Sequence, residues 1–162
     1  MHFSVTHHFD ASRIAVADVM CDPAFQTTLS LPDLSLPEVV EHVVDGTTRM
    51  LRLRYQYVGQ LDPIARRVIG GHKVTWIQEL RLDVADFRGT LSYAAESDAK
   101  KFFGAADITL DGDDAPSTRR IDGDLHVKVP LVGGMAEKRI VPGLVRRLDA
   151  EAAAMAEKLG HA

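Results

Sequence analysis

The chain has 162 residues, of which 46% are hydrophobic and 26% charged, the composition of an ordinary soluble domain with a substantial core. A net charge of −4 offers no long-range attraction to nucleic acid or to an anionic membrane. The one cysteine, Cys21, excludes an internal disulfide, and no stretch approaches the ~20 apolar residues of a membrane span, so the expectation is a soluble cytoplasmic protein without a signal peptide.

The segment from His2 to Phe9 alternates and reads as a first strand. Asp10, Ala11 and Ser12 follow, and a short side-chain oxygen there can accept an orphan backbone N–H, which predicts a short helix over 13–20 with Ile14 and Ala17 facing inward. Asp22-Pro23 ends it, and Pro23 suits the first turn of a second short helix carrying Phe25. Residues 29–37 form a proline-punctuated connection.

The helical signal then vanishes for nearly a hundred residues. Residues 38–44 are β-branched and strand-like, and Asp45-Gly46 is a hairpin signal. From Thr47 to Val58 the residues Leu51, Leu53, Tyr55 and Tyr57 share one face, opposite Arg52, Arg54 and Gln56. A connection from Gly59 to His72 carries Asp62-Pro63 and Gly70-Gly71, the composition of a hinged lid. Further strands place Val74, Trp76, Gln78, Leu80 and Leu82 on one face, then Phe87, Leu91 and Tyr93, then Ile108 and Leu110. After an acidic turn at 112–114, a closing strand from about Ser117 to Pro130 sets Leu125, Val127 and Val129 opposite Asp124, His126 and Lys128.

Val132-Gly133-Gly134 breaks that alternation. Ile140, Leu144, Leu148, Met155 and Leu159 then recur at helical spacing to the end of the chain. Pro142-Gly143 inside this run predicts a kink, or a turn before the main helix begins. Hairpin-length connections favour an antiparallel meander, and the final helix is the one element long enough to cover it. The fold class expected is α+β, a curved antiparallel sheet of about seven strands around a long C-terminal helix, with two short helices after the first strand.

Particular residues carry a resemblance. Phe9-Asp10-Ala11-Ser12-Arg13-Ile14, then Asp22-Pro23-Ala24-Phe25, then the run from Gly123 through Gly134 into Glu137-Lys138 resemble the START-like superfamily, also called SRPBCC or helix-grip, in an uncharacterised bacterial branch. The resemblance covers residues 1–162 as a single START-like ligand-binding domain. It implies an apolar cavity between sheet and helix that holds lipids, polyketides, hormones or similar molecules. It equally admits cyclases, hydratases and protein-binding branches, because fold alone does not choose among them.

Inward parity assigns Tyr55, Tyr57, Trp76, Gln78, Leu91 and Tyr93 to the concave face, with Leu144 and Leu148 reaching in from the helix. Tyrosine and tryptophan bring an apolar body with one polar handle, which suits a pocket for a mostly apolar ligand. They also serve as plain core. Gln78 is sharper: a buried amide costs ~1–3 kcal/mol without a partner, so it needs backbone, water or a ligand.

Other chemistries find less support. His7 and His8 are adjacent on a strand and point to opposite faces, and no zinc spacing occurs. Asp111, Asp113 and Asp122 approach calcium-loop spacing, but Ala115 and Pro116 fill positions that need an oxygen and a glycine. No nucleophile elbow exists, and Cys21 reads as a buried inert thiol. Gly133-Gly134 reads as a sharp turn, and Arg52, Arg54, Arg66, Arg67, Arg119 and Arg120 as a solvated mixed surface. The preferred expectation is carriage of a small hydrophobic molecule, lined by the eight residues above, with no catalytic residue, cofactor, metal or nucleic acid. The alternatives are a cyclase or hydratase using Tyr with His72 or Glu79, Glu79 facing outward by parity, and an interaction module with a filled cavity.

Overall fold

The computed structural model describes residues 1–69 and 71–160. Seven strands form one antiparallel sheet: β1 (His2–Phe9), β2 (Glu38–Asp45), β3 (Thr48–Gln56), β4 (Thr75–Asp83), β5 (Arg88–Ala95), β6 (Phe102–Asp111) and β7 (Ser117–Val127). Their spatial order is β1-β7-β6-β5-β4-β3-β2, so the chain meanders from β2 to β7 and β1 closes on β7. Helices α1 (Arg13–Met20) and α2 (Pro23–Gln26) follow β1, α3 (Pro63–Ile69) follows β3, and α4 (Gly133–Gly160) ends the described chain. The α+β helix-grip architecture expected from the pattern is the one observed.

Local chemistry sets the helix starts. Ser12 caps α1 by accepting from the Ala15 N–H at 3.4 Å, and Asp22 caps α2 through the Ala24 N–H at 2.9 Å. Helix α1 buries Val16, Ala17 and Met20, so Ala17 faces inward as expected while Ile14 is exposed. The connection from Gly59 to His72, read from sequence as a structureless loop, holds a short helix. Asp62 accepts from the N–H groups of Ile64 and Ala65, both at 2.9 Å, and Pro63 opens α3 from the connection's middle. Gly70 lies outside the described residues.

Helix α4 runs unbroken through Pro142 and turns Val141, Leu144, Arg147, Leu148, Glu151, Ala152 and Met155 inward. Ile140, expected on this face, is exposed at 36%, with Val141 in its place. The Glu137 carboxylate fastens the helix to β7 by accepting from the Val127 N–H at 2.9 Å, a bond that also holds its pKa below the usual carboxylate range. The Gly133-Gly134 step is a matter of space. A Cβ on Gly133 would strike the Val127 carbonyl oxygen, whereas one on Gly134 would meet nothing, and neither residue has a positive φ.

Helix α4 packs on β1, β7 and α1. Toward β3 and β5, Arg147 of α4 reaches across to Tyr55 and Tyr93. All of β2 is exposed, including Val39, Val40, Val43 and Val44.

Candidate functional site

The alternation of β7 is regular: Ser117, Arg119, Ile121 and Leu125 are all buried. Arg119 is 1% exposed, so its expected place on a solvated surface is overturned. It points inward because it shares strand parity with Ile121 and Leu125, and it is tolerated there because α4 supplies Glu151. Its Nη1 donates to Glu151 Oε1 at 3.1 Å, and its Nη2 donates to the Leu148 carbonyl oxygen at 3.4 Å. Arg52, Arg54 and Arg120 do lie on the wet side, paired with Glu79, Glu96 and Asp111 respectively.

One turn before Glu151, Arg147 is also buried. Its Nη2 donates to the Tyr93 hydroxyl at 3.0 Å, and its guanidinium carbon lies 5.3 Å from the Tyr55 ring centre and 5.4 Å from that of Tyr93. Burial pushes both tyrosine hydroxyls up to about 12, so both are neutral and act as donors or acceptors only. For Arg147, burial opposes the charge, yet the net direction is upward, with the Glu151 carboxylate and the hydrogen bond to Tyr93 favouring the charged form.

His7 completes the outer side of this group. Its Nε2 lies 2.9 Å from Asp149 Oδ1, and its Nδ1 lies 3.2 Å from Arg119 Nη2. Arginine can only donate, so Nδ1 accepts and the imidazole proton sits on Nε2, facing Asp149. Burial holds the His7 pKa below its ordinary value, and the Arg119 charge works in the same direction.

Between these groups and the sheet lies a cavity of about 10 Å³, lined by Gln26, Gln78, Arg119 and Glu151 among apolar neighbours that include Leu51 and Leu91. That volume suits one water-sized guest. Several buried polar atoms find no protein partner: Gln26 Oε1, Gln78 Oε1, Arg119 Nε, Arg147 Nη1 and Ser117 Oγ. Three of them, on Gln26, Gln78 and Arg119, belong to residues that line the cavity, and native interiors leave few such groups unanswered.

Of the residues expected to line a pocket, Gln78, Leu91 and Leu148 line the cavity. Tyr55, Tyr93 and Leu144 are buried in the core cluster. Trp76 is half-buried and stacks on Tyr55 at 5.7 Å, and Tyr57 is half-buried with its hydroxyl donating to the Gln60 carbonyl oxygen at 3.3 Å. Gln26, Arg119, Arg147 and Glu151 were missed. The signal was present, since Arg147 and Glu151 fall at helical spacing with Leu144, Leu148 and Met155.

Among the described residues no group of His, Cys, Asp and Glu is assembled to hold a metal ion, and no helix is long and apolar enough to cross a membrane.

A family model described as "Protein of unknown function (DUF2505)" matches residues 4–159. The chain belongs to this DUF2505 family. Among curated proteins, no sequence matches it. Among solved structures, this DUF2505 chain is similar to a Thermus thermophilus protein, TTHA0849, at 15% identity and a TM-score of 0.68 over 98% of this chain and 97% of that one. It is similar to the Zhui aromatase/cyclase of a Streptomyces species, at 15% identity and a TM-score of 0.63 over 99% and 93% of the two chains. A START superfamily protein from Mycobacterium smegmatis gives 18% identity and a TM-score of 0.60 over 99% and 97%. These likenesses show that the DUF2505 chain has the START-like helix-grip fold.

Proposed function

We propose that this protein is a single ligand-binding domain that takes up one small, largely apolar molecule between the sheet and α4, with the molecule's polar end at Gln26, Gln78 and Arg119. The observation that carries this reading is the three buried polar atoms without protein partners on cavity-lining residues, Gln26 Oε1, Gln78 Oε1 and Arg119 Nε. A guest supplies those partners, and Leu51, Leu53, Leu80, Leu91 and Leu148 supply apolar surface for its body. At about 10 Å³ the cavity at rest is far smaller than a ligand. Uptake therefore moves long side chains such as Met20 and Arg147, which have rotamers to spare. The START-like fold and the likeness to a named aromatase/cyclase support a guest of this general kind. One cysteine and a net charge of −4 fit a cytoplasmic carrier with no nucleic-acid partner.

Native mass spectrometry of gently purified full chain tests the reading. The expected result is a second species heavier by one small organic molecule, released on denaturation. A chain that carries none, and that gains no thermal stability from any short-chain alkyl or naphthyl probe, overturns it.

A specific observation favours a second reading, an interaction module docking a second copy of itself. Strand β2 is a bare edge reading Glu-Val-Val-Glu-His-Val-Val-Asp, nearly the same in both directions. Antiparallel pairing about its midpoint sets Val39 against Val44, Val40 against Val43 and Glu41 against His42. It also sets Glu38 against Asp45, and a bulge interrupts β2 between Val39 and Glu41. Pairing should thus strengthen with salt. Sedimentation at low and high salt decides it: a monomer at both, indistinguishable from Val44→Lys, removes this reading.

A further inference from the structure

Charge is unevenly placed over the molecule. Strands β3, β5 and β7 finish, and β4 and β6 start, at one end of the sheet, since Gln56 pairs with Thr75, Trp76 with Ala95 and Phe102 with Val127. The connections 57–74, 96–101 and 128–132 therefore all leave from that end, and α4 begins there. Direct contacts join them. The Lys128 N–H donates to the Lys101 carbonyl oxygen at 2.7 Å, and Arg139 of α4 pairs with Asp62.

Cations outnumber acids on these connections and the first two turns of α4. The acids there, Asp62, Glu96, Asp98 and Glu137, are engaged by Arg139, Arg54, Lys101 and the Met1 ammonium respectively. Asp33, whose carbonyl oxygen accepts from the Val58 N–H at 2.8 Å, adds one more acid. Against these, Arg66, Arg67, Lys73, Lys100, Lys128 and Lys138 are exposed and form no ion pair among the described residues. The turns at the other end, 46–47, 84–87 and 112–116, carry Asp86, Asp113 and Asp114 and no lysine or arginine. The whole-chain charge of −4 thus conceals a basic face, and in salt solution charges act over only about 10 Å.

The same end exposes large apolar side chains. Leu131 is 101% exposed and Val58 58%, and Met135 and Ile64 are exposed as well. Leu131 also holds φ at 71°, in the left-handed region that bulky residues avoid, so the backbone is strained where it presents that leucine. Cations around protruding apolar groups match a lipid surface with anionic head groups, which draws the charges while the acyl boundary takes the apolar tips. The exposed large side chains here are aliphatic or thioether, suited to acyl chains, rather than the aromatic ones on which nucleic-acid bases stack.

We propose that this end of the molecule docks on an anionic lipid membrane, with Leu131 entering the interface and Lys128 and Lys138 meeting the head groups. The docking uses exposed residues outside the cavity, so it holds or fails whether or not the cavity takes a guest.

The test is flotation of the full chain with vesicles of phosphatidylcholine alone and of an equal mixture of phosphatidylcholine and phosphatidylserine. At low salt the mixed vesicles should bind at least about tenfold more tightly, and high salt should erase the difference. Lys128→Glu combined with Lys138→Glu should weaken binding to the mixed vesicles by about tenfold or more. Leu131→Gly, which suits the left-handed backbone, should melt no lower than the native chain and bind at least about fivefold more weakly. No binding to the mixed vesicles, or equal binding to both kinds, overturns the proposal. So does native affinity in either variant. Retention on single-stranded polyuridylate without vesicle binding would overturn it in favour of nucleic acid. The native-chain comparison decides even if a variant does not fold.

Discussion

Arg119 on β7 and Glu151 on α4 form an ion pair at 3.1 Å, with side chains only 1% and 8% exposed. It joins the sheet to the helix at the centre of the molecule, and its energetics follow from what desolvation does to each partner alone. Glu151→Ala strands a buried guanidinium and should cost about 3–5 kcal/mol, and Glu151→Gln somewhat less. Replacing both partners, Arg119→Met with Glu151→Leu, removes the charges together and should return stability close to native. Urea unfolding of the three variants checks this, and a double variant as unstable as Glu151→Ala would refute it.

The pH dependence follows from His7. Its pKa in the folded chain is held below the unfolded value of about 6.5, chiefly by burial. The unfolded chain therefore binds more protons in the window below that value. His7's contribution is fully present above about pH 6.5 and declines as pH falls toward the lower folded pKa. Unfolding midpoints at pH 8, 6.5 and 5 should fall more steeply for the native chain than for His7→Gln. Parallel curves would show that His7 carries no linkage.

The two glycines at the start of α4 should separate cleanly. Gly133→Ala drives a methyl into the Val127 carbonyl oxygen and should destabilise by about 1–3 kcal/mol, as overpacking does. Gly134→Ala meets open space within a helix and should be neutral or stabilising by up to about 1 kcal/mol. Thermal melts of both variants suffice, and the opposite ranking would contradict the geometry.

Cys21 is 5% exposed, and burial pushes its thiol up to about 12. The native chain should resist an aromatic disulfide reagent at pH 8 and react at once in denaturant. Prompt labelling of the folded chain would mean that α1 opens far more readily than its packing implies.

Strand and helix periods made the architecture legible, and the same periods would have located the charged interior. Arg119 stands in step with Ile121 and Leu125, and Arg147 and Glu151 in step with Leu144, Leu148 and Met155. Reading charge as exposure hid them, because a lone buried ion is prohibitive and the sequence does not display which ions will meet. Arg119 and Glu151 are 32 residues apart and become partners only once α4 lies on β7. Gln78 was legible because it sits on one short strand between Trp76 and Leu80. Helix α3 was lost to its flanking glycines and proline, although Asp62-Pro63 is a helix start as well as a turn.

The gap between α4 and the far half of the sheet is occupied by reach rather than by contact. Arginine and tyrosine, Arg147 with Tyr55 and Tyr93, extend across a distance that backbone layers leave between them. Internal capacity in this architecture is accordingly set by side-chain length at a few positions, while strand order and helix placement stay fixed. Shorten Arg147 or Tyr93 and the same scaffold gains room; lengthen a neighbour and it becomes solid. Kin sharing this backbone can thus differ completely in what they hold, with no change visible in the outline of the fold.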